Sequence, residues 1–307
     1  MRSEAFSTEA AASAHRPPTP APRPHPPRTV VRTPSTAEVA AHVHRLRGAL
    51  GEPEGAARTL SAMLIDGMNP AAVARSAGIA LSEYYSVLAV AIGANTPRTL
   101  PESAALAQAE ERRARVEATF AALCENSALP LLSGSGGTVL IPEGEAGDRI
   151  PEDLLTHLTR AAGTPVTATA VSATFHGIPP ATDLAHELLD IVQRLRYEPR
   201  LYRLDDLALE YQATRRDHVT DHLWALLEPL RAHPDLVDTL RCYLDSDLNR
   251  QRTARMLTIH SNTVDYRLRR VKELTGLDPY RPNGLWYLQS ALVAQTYRAT
   301  EADRPAT

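Results

Sequence analysis

Two rhythms of apolar positions divide this chain. Between about residues 59 and 204, strand-like and helix-like runs alternate; beyond residue 205 only helical spacing remains. Tyr85-Ser86-Val87-Leu88-Ala89-Val90-Ala91-Ile92 alternates as a strand with one face fully buried. Alanine, glutamate and arginine dominate Glu102 to Ala122, which predicts a long helix. Leu129 to Leu132 and Thr138 to Ile141 read as two strands around the turn Ser133-Gly134-Ser135-Gly136-Gly137. Asp153 to Ala162 predicts a helix, Val166 to Ala173 a strand, Thr182 to Arg196 a helix, and Leu201-Tyr202 starts a short return strand. Ahead of these, Leu60, Met63 and Leu64 lead to an Asp66-Gly67 stop; Asn69 then caps Pro70 to Ala77, and Gly78 ends that helix. Val39, Val43, Leu46 and Leu50 form an apolar stripe on a helix opening at Thr36.

After Asp205 the segments Asp206 to Gln212, His218 to Leu230, Pro234 to Leu244, Gln251 to Leu257, Ser261 to Leu274 and Asn283 to Tyr297 all keep a helical period. The predicted fold class is therefore α+β, an α/β middle followed by an all-α end. Four divisions follow: a proline-rich tail over 1–35, a helix in 36–58, an α/β domain over 59–204 and an all-α domain over 205–307. The tail holds Pro17, Pro18, Pro20, Pro22, Pro24, Pro26, Pro27 and Pro34 interleaved with His15, Arg16, Arg23, His25 and Arg28, a composition that cannot sustain helix or sheet.

Composition narrows the function. A net charge of −3 excludes a generally basic nucleic-acid coat but permits a local basic surface. Cys124 and Cys242 stand far apart with no metal-like spacing, so they read as reduced thiols. His42 and His44, two apart, fall on different helix faces and do not form a metal pair. No apolar run approaches the ~18 residues of a membrane span. The N-terminus lacks the apolar core of a secretory signal. These features predict a cytoplasmic protein with no membrane partner. Lys272 is the single lysine among 33 basic residues, so arginine is the default cation and an arginine in a candidate site carries less information than usual.

Chemistry concentrates between Arg250 and Leu274. Ala254 is small where two helices must cross closely, and Met256, Leu257 and Ile259 flank a short turn. Ser261 is read as the N-cap of a second helix whose Val264, Leu268 and Val271 form one buried stripe. Its opposite face carries Asn262, Thr263, Tyr266, Arg269 and Arg270, with Arg267 at the edge. This is the layout of a helix-turn-helix, in which one helix braces and the second lies in the major groove. Seven basic residues against Asp265 and Glu273 make Arg250–Glu273 net +5, the kind of patch that phosphate neutralisation needs. Asparagine and arginine can read base edges. The competing reading is a plain helical hairpin with a solvated basic face.

The run Thr253-Ala254, His260-Ser261-Asn262-Thr263-Val264-Asp265-Tyr266-Arg267-Leu268 and Leu274-Thr275-Gly276-Leu277-Asp278 closely resembles the C-terminal helix-turn-helix of the PucR and CdaR regulators. Its spacing also looks like the DNA-binding end of Fis. Upstream, Leu64-Ile65-Asp66-Gly67, Pro70-Ala71-Ala72-Val73-Ala74 and Gly78-Ile79 resemble the opening of that family's degenerate GGDEF-like domain, and Tyr202 to Glu210 resembles the joint into its C-terminal helices. The resemblance implies a transcription regulator, and with the exposed face of the second helix and the bracing helix read beside it, the DNA contacts are expected from Arg252, His260, Ser261, Asn262, Thr263, Tyr266, Arg267, Arg269 and Arg270. A homodimer or higher homo-oligomer on double-stranded DNA is expected, with no cofactor and an effector, if any, unidentified.

Three rival sites compete. Ala72 to Tyr85 passes for a second helix-turn-helix, although residues after Leu81 prefer strand and Arg75 is its one basic residue. The Gly134–Gly137 turn invites a phosphate-loop reading but lacks the Gly-Lys-Ser/Thr ending and precedes a strand. Cyclase chemistry needs carboxylates to hold magnesium, and Gly136-Gly137 is followed by Thr138-Val139, so no enzyme activity is predicted. Asp205 and Asp206 are adjacent and read as caps of the next helix. The alternative from a different class is a ligand- or protein-binding scaffold that keeps the helix-turn-helix fold without reading DNA.

Overall fold

The computed structural model describes residues 53–93, 102–144, 150–215 and 218–302. The proline-rich tail and the Thr36–Leu50 stripe lie outside the described residues. In chain order the elements are α1 (Pro53–Ile65), α2 (Ala71–Ala77), β1 (Tyr84–Ile92), α3 (Glu102–Leu123), β2 (Leu129–Ser133), β3 (Gly136–Pro142), α4 (Leu154–Ala162), β4 (Val166–Thr174), α5 (Ile178–Arg194), β5 (Leu201–Arg203), α6 (Leu204–Thr214), α7 (His218–Ala225), α8 (Pro234–Asp245), α9 (Arg250–Leu257), α10 (Ser261–Thr275) and α11 (Pro282–Ala302). The chain is thus α+β, with a helical C-terminal region after one sheet.

The five strands order β2-β3-β1-β4-β5; the first four pair antiparallel and β5 joins β4 in parallel. Strand, helix, hairpin, helix, strand is the split βαβ connection. It puts β1 in the middle of the sheet. Leu88, Val90 and Ile92 face Val116 and Phe120 of α3 and Leu154 and Leu158 of α4. Tyr85, Val87 and Ala89 face Leu60 and Leu64 of α1, Ala74 of α2 and Ile178, Ala185 and Leu189 of α5. The expectation of a single buried face on β1 is corrected: Tyr85 to Val90 are all buried, because helices cover both sides of a central strand.

The rival sites meet plain geometry. The N-cap position of α2 is Pro70 and not Asn69, which stands one residue ahead with its Oδ1 accepting from Ala71 N–H at 3.0 Å; Gly78 closes that helix at φ 67°. The chain then enters β1, so no second helix completes a helix-turn-helix there. The Gly134–Gly137 turn is roofed by α3: Arg112 donates from Nε and Nη2 to the Gly134 carbonyl at 3.1 and 2.9 Å. Gly136 sits at φ 128°, where an added Cβ would come within 2.0 Å of the Val90 carbonyl oxygen. These glycines serve close packing. Asp206 caps α6 by accepting from Arg203 N–H at 2.8 Å.

Several helix boundaries differ from the periodic reading: α11 runs past the expected Tyr297 to Ala302, and two others shift at prolines. α5 starts at Ile178 because Pro179 and Pro180 fit a first turn, where missing N–H groups cost nothing. The helix expected over His218 to Leu230 stops at Ala225 and resumes as a short 3₁₀ turn at Glu228–Leu230 around Pro229.

Helices α8 to α11 share one core of Leu236, Leu240, Tyr243, Ala254, Val264, Leu268, Val271, Leu288, Ala291 and Leu292. α11 belongs to two neighbourhoods. Leu288 to Leu292 complete that core, whereas Val293 and Ala294 pack on Ala213 and Leu223. Near its end the Tyr297 hydroxyl donates to Asp190 of α5 at 3.0 Å, with the Arg194 guanidinium 4.5 Å from the Tyr297 ring centre. One helix therefore bridges the sheet's helical layer and the C-terminal core. Among the described residues no helix is long and apolar enough to cross a membrane.

Candidate nucleic-acid interface

Local sequence builds the helix-turn-helix. Asn249 opens α9 by accepting from Gln251 N–H and Arg252 N–H, both at 3.1 Å. Thr258 closes it in the left-handed region at φ 55°, with its N–H on Arg255 O and Ile259 N–H on Ala254 O. A β-branched residue there stores about 1–3 kcal/mol of strain. Ile259 offsets it by packing into the core shared with Ala254. The cap of α10 is not Ser261, as the sequence reading had it, but His260: its backbone is extended and its Nδ1 accepts from Asn262 N–H at 3.2 Å. A ring nitrogen lone pair replaces the expected hydroxyl, which leaves Ser261 as the first helical residue.

Val264, Leu268 and Val271 are fully buried, as their spacing requires. On the opposite side Asn262, Tyr266 and Arg269 form one exposed strip along α10. Tyr266 is 64% exposed. Neither the Asn262 amide nor the Tyr266 hydroxyl has a hydrogen-bond partner among the described residues. Such groups are available to base edges without first breaking an internal bond. His260 is exposed at the start of the strip, Ser261 and Thr263 are half-buried beside it, and Arg270 lies on the flank that Thr263 shares.

The charge of this region is less free than its count suggests. Arg250 pairs with Asp265 at 3.0 Å, Arg252 with Asp247 at 3.3 Å, Arg270 with Glu273 at 2.7 Å and Lys272 with Asp278 at 2.7 Å. Asp247 and Asp278 lie outside Arg250–Glu273, so the net +5 of that stretch overstates the assembled surface. These pairs lie at the solvent-facing surface and hold weakly, so a phosphate can displace them. Arg267 differs. Its Nε meets Asp235 at 3.3 Å, its Nη1 donates to Thr239 Oγ1 at 3.1 Å, and its side chain is only 25% exposed. That arginine ties α10 to α8 and points away from the Asn262–Tyr266 strip. Arg255 and Arg269 have no carboxylate partner among the described residues.

Sequence reasoning missed Tyr280. Its hydroxyl donates to Asp265 Oδ1 at 3.2 Å, and burial followed by the Asp265 charge pushes its pKa up to about 12. Asp265 thereby joins α9 (through Arg250), α10 and the segment after α10 at one carboxylate. Nothing in local sequence marks a contact spanning 15 residues.

Elsewhere, no group of three His, Cys, Asp or Glu side chains among the described residues could hold a metal ion. Both cysteines are free and buried, and burial raises the Cys124 thiol.

Residues 236–294 match the PucR C-terminal helix-turn-helix domain. Over 67 residues, 22% of this chain, the sequence is 42% identical to uncharacterised proteins of Mycobacterium bovis and Mycobacterium tuberculosis; the match spans 16% of their length. The crystal structure of a regulator of polyketide synthase expression from Bifidobacterium adolescentis aligns over 84% of this chain and 98% of its own, with 20% identity and a TM-score of 0.38. That likeness is too distant to define function.

Proposed function

We propose that the chain is a sequence-specific DNA-binding transcription regulator of the PucR type that inserts α10 into the major groove. The observation that carries this reading is the strip Asn262–Tyr266–Arg269, exposed on the second helix of a PucR-type helix-turn-helix, in which the Asn262 amide and the Tyr266 hydroxyl have no partner among the described residues and Arg269 Nε donates to the Asp265 carbonyl at 3.3 Å. Asn262 and Tyr266 meet base edges near the start of α10; His260, Ser261 and Thr263 sit at the groove entrance. Arg252, Arg269 and Arg270 meet phosphates after exchanging or extending their present bonds. Arg267 contributes by fixing α10 on α8.

A single unit of this kind contacts few base pairs, so the reading includes a homodimer on two half-sites about one DNA turn apart, or a multiple of it. The split βαβ sheet is consistent with a degenerate GGDEF-like domain that senses or dimerises, and the reading assigns it no catalysis. A cytoplasmic location follows from the role.

Fluorescence anisotropy of the full chain with a mixed-sequence duplex of about three turns tests the proposal. Binding that weakens steeply with salt is expected, together with a dimer by light scattering. A folded chain with no affinity for duplex at low salt would move it to the class of scaffolds that keep the fold without reading DNA.

A further inference from the structure

The chain leaving α10 does not depart from the reading head but doubles back along it. Asp278 pairs with Lys272 at 2.7 Å, and two residues later the Tyr280 hydroxyl reaches Asp265 at 3.2 Å. Positions 272 and 265 are two helical turns apart on one side of α10. Residues 276–281 therefore run antiparallel to α10 along that flank. Three packing features hold them there. Tyr280 sits edge-on to Tyr243 with ring centres 6.1 Å apart. Pro279 is buried. Gly284 approaches so closely that a Cβ would lie 2.3 Å from the Asp278 carbonyl oxygen.

This anchored segment ends in Arg281, which is exposed. Its backbone N–H is fixed on Asp278 O at 3.1 Å, while its guanidinium makes no ion pair among the described residues, its charge being felt only at a distance by the Asp278 carboxylate. Arg250 reaches the same flank from α9, through the other oxygen of the Asp265 carboxylate. Thr263 and Arg270 occupy the opposite flank, more than a third of a helical turn away from Asp265. A helix seated in a groove about 12 Å wide has one sugar-phosphate strand along each flank.

We infer that Arg281, presented by the folded-back segment 276–281, grips the DNA phosphate strand on the Asp265 flank of α10 beside Arg250. Asp265 and Tyr280 are positioning residues in this arrangement: one carboxylate orients both the Arg250 guanidinium and the tyrosine that precedes Arg281. Arg281 needs no internal ion pair broken before it meets a phosphate, unlike Arg250, Arg252 or Arg270. The inference rests on the reading of α10 as the groove helix.

The test is the salt dependence of full-length protein binding to a labelled mixed-sequence duplex. Arg281→Ala should lower the magnitude of the log–log salt slope by about one, and weaken binding about tenfold near 50 mM salt. Arg281→Lys should restore the slope. Tyr280→Phe keeps the ring on Tyr243 but frees Asp265, and should weaken binding by a smaller factor of about two to three, within the range of one lost exposed contact. Arg75→Ala, on exposed α2, should change neither quantity. An unchanged slope in Arg281→Ala, with wild-type binding intact, overturns this inference and leaves the regulator reading standing. Absence of duplex binding by the wild-type chain overturns both.

Discussion

The sheet layer and the helical head treat their polar side chains in opposite ways. Around the sheet many are consumed internally, although the buried hydroxyls of Ser61 and Thr164 have no partner among the described residues. The Glu143 carboxylate accepts from Ser86 and Ser172 at 2.8 and 2.7 Å, Arg112 caps the hairpin carbonyl, and Thr169 Oγ1 donates to Ala185 O at 2.6 Å. In the head, one helix carries a fully buried stripe on one side and, on the other, an amide and a phenol with no internal partner. Burying polar groups without partners is costly, whereas leaving them exposed and unpaired is nearly free. The exposed strip on α10 is therefore held in place by the stripe behind it and contributes nothing to that support. Residues that do not stabilise the fold are the ones available to a ligand.

Substitutions can break that contrast at graded points. Val264→Asp should have the largest effect: a carboxylate at a fully buried position should cost about 3 kcal/mol or more and abolish both the head's cooperative melting and DNA binding. Gly136→Ala should come next, because the left-handed φ and the approach to the Val90 carbonyl leave no room for a methyl. A loss of about 3 kcal/mol by denaturant titration is expected, set in the sheet layer. Asn262→Ala should leave the melting temperature unchanged and cost about 1–3 kcal/mol on a cognate duplex, with much less on random DNA. Arg252→Ala should weaken both duplexes alike and reduce the salt slope by about one.

The smallest effect should be an alkaline one. Burial first, and the Asp265 charge and bond after it, raise the Tyr280 hydroxyl from 10.0 to about 12, so the stability gained by its protonated form is present in full below pH 10 and is lost as pH climbs towards 12. Tyr280→Phe should remove that part of the decline in a pH series of thermal melts.

The head was legible in sequence because its logic is local. Ala254, Val264, Leu268 and Val271 fall within two adjacent helices, where helical spacing places them, and Ile259 lies in the short turn between. What stayed hidden depends on chain segments that sequence keeps apart. Arg267 reads as an edge residue until α8 brings Asp235 and Thr239 to it. Asp247 and Asp278 neutralise cations that a linear count leaves free. Tyr280 reaches Asp265 only because the chain folds back. The cap at His260 was missed because an imidazole acceptor is rarer there than a serine hydroxyl. In the sheet layer the strands were visible as apolar runs, but the two-sided burial of β1 follows from its central position, set by pairings with Gly136–Pro142 and Val166–Thr174.

In the proposed reading α10 recognises sequence through Asn262 and Tyr266. Selection of duplexes from a randomised pool by the full-length chain, followed by affinity measurement on the enriched and a scrambled duplex, tests it most directly. An enriched two-fold site bound at least about 10³-fold more tightly than the scrambled duplex is expected. Asn262→Ala and Tyr266→Ala should each shrink that ratio while the folded fraction stays constant. No enriched site, or an enriched site whose affinity both substitutions leave unchanged, would contradict it.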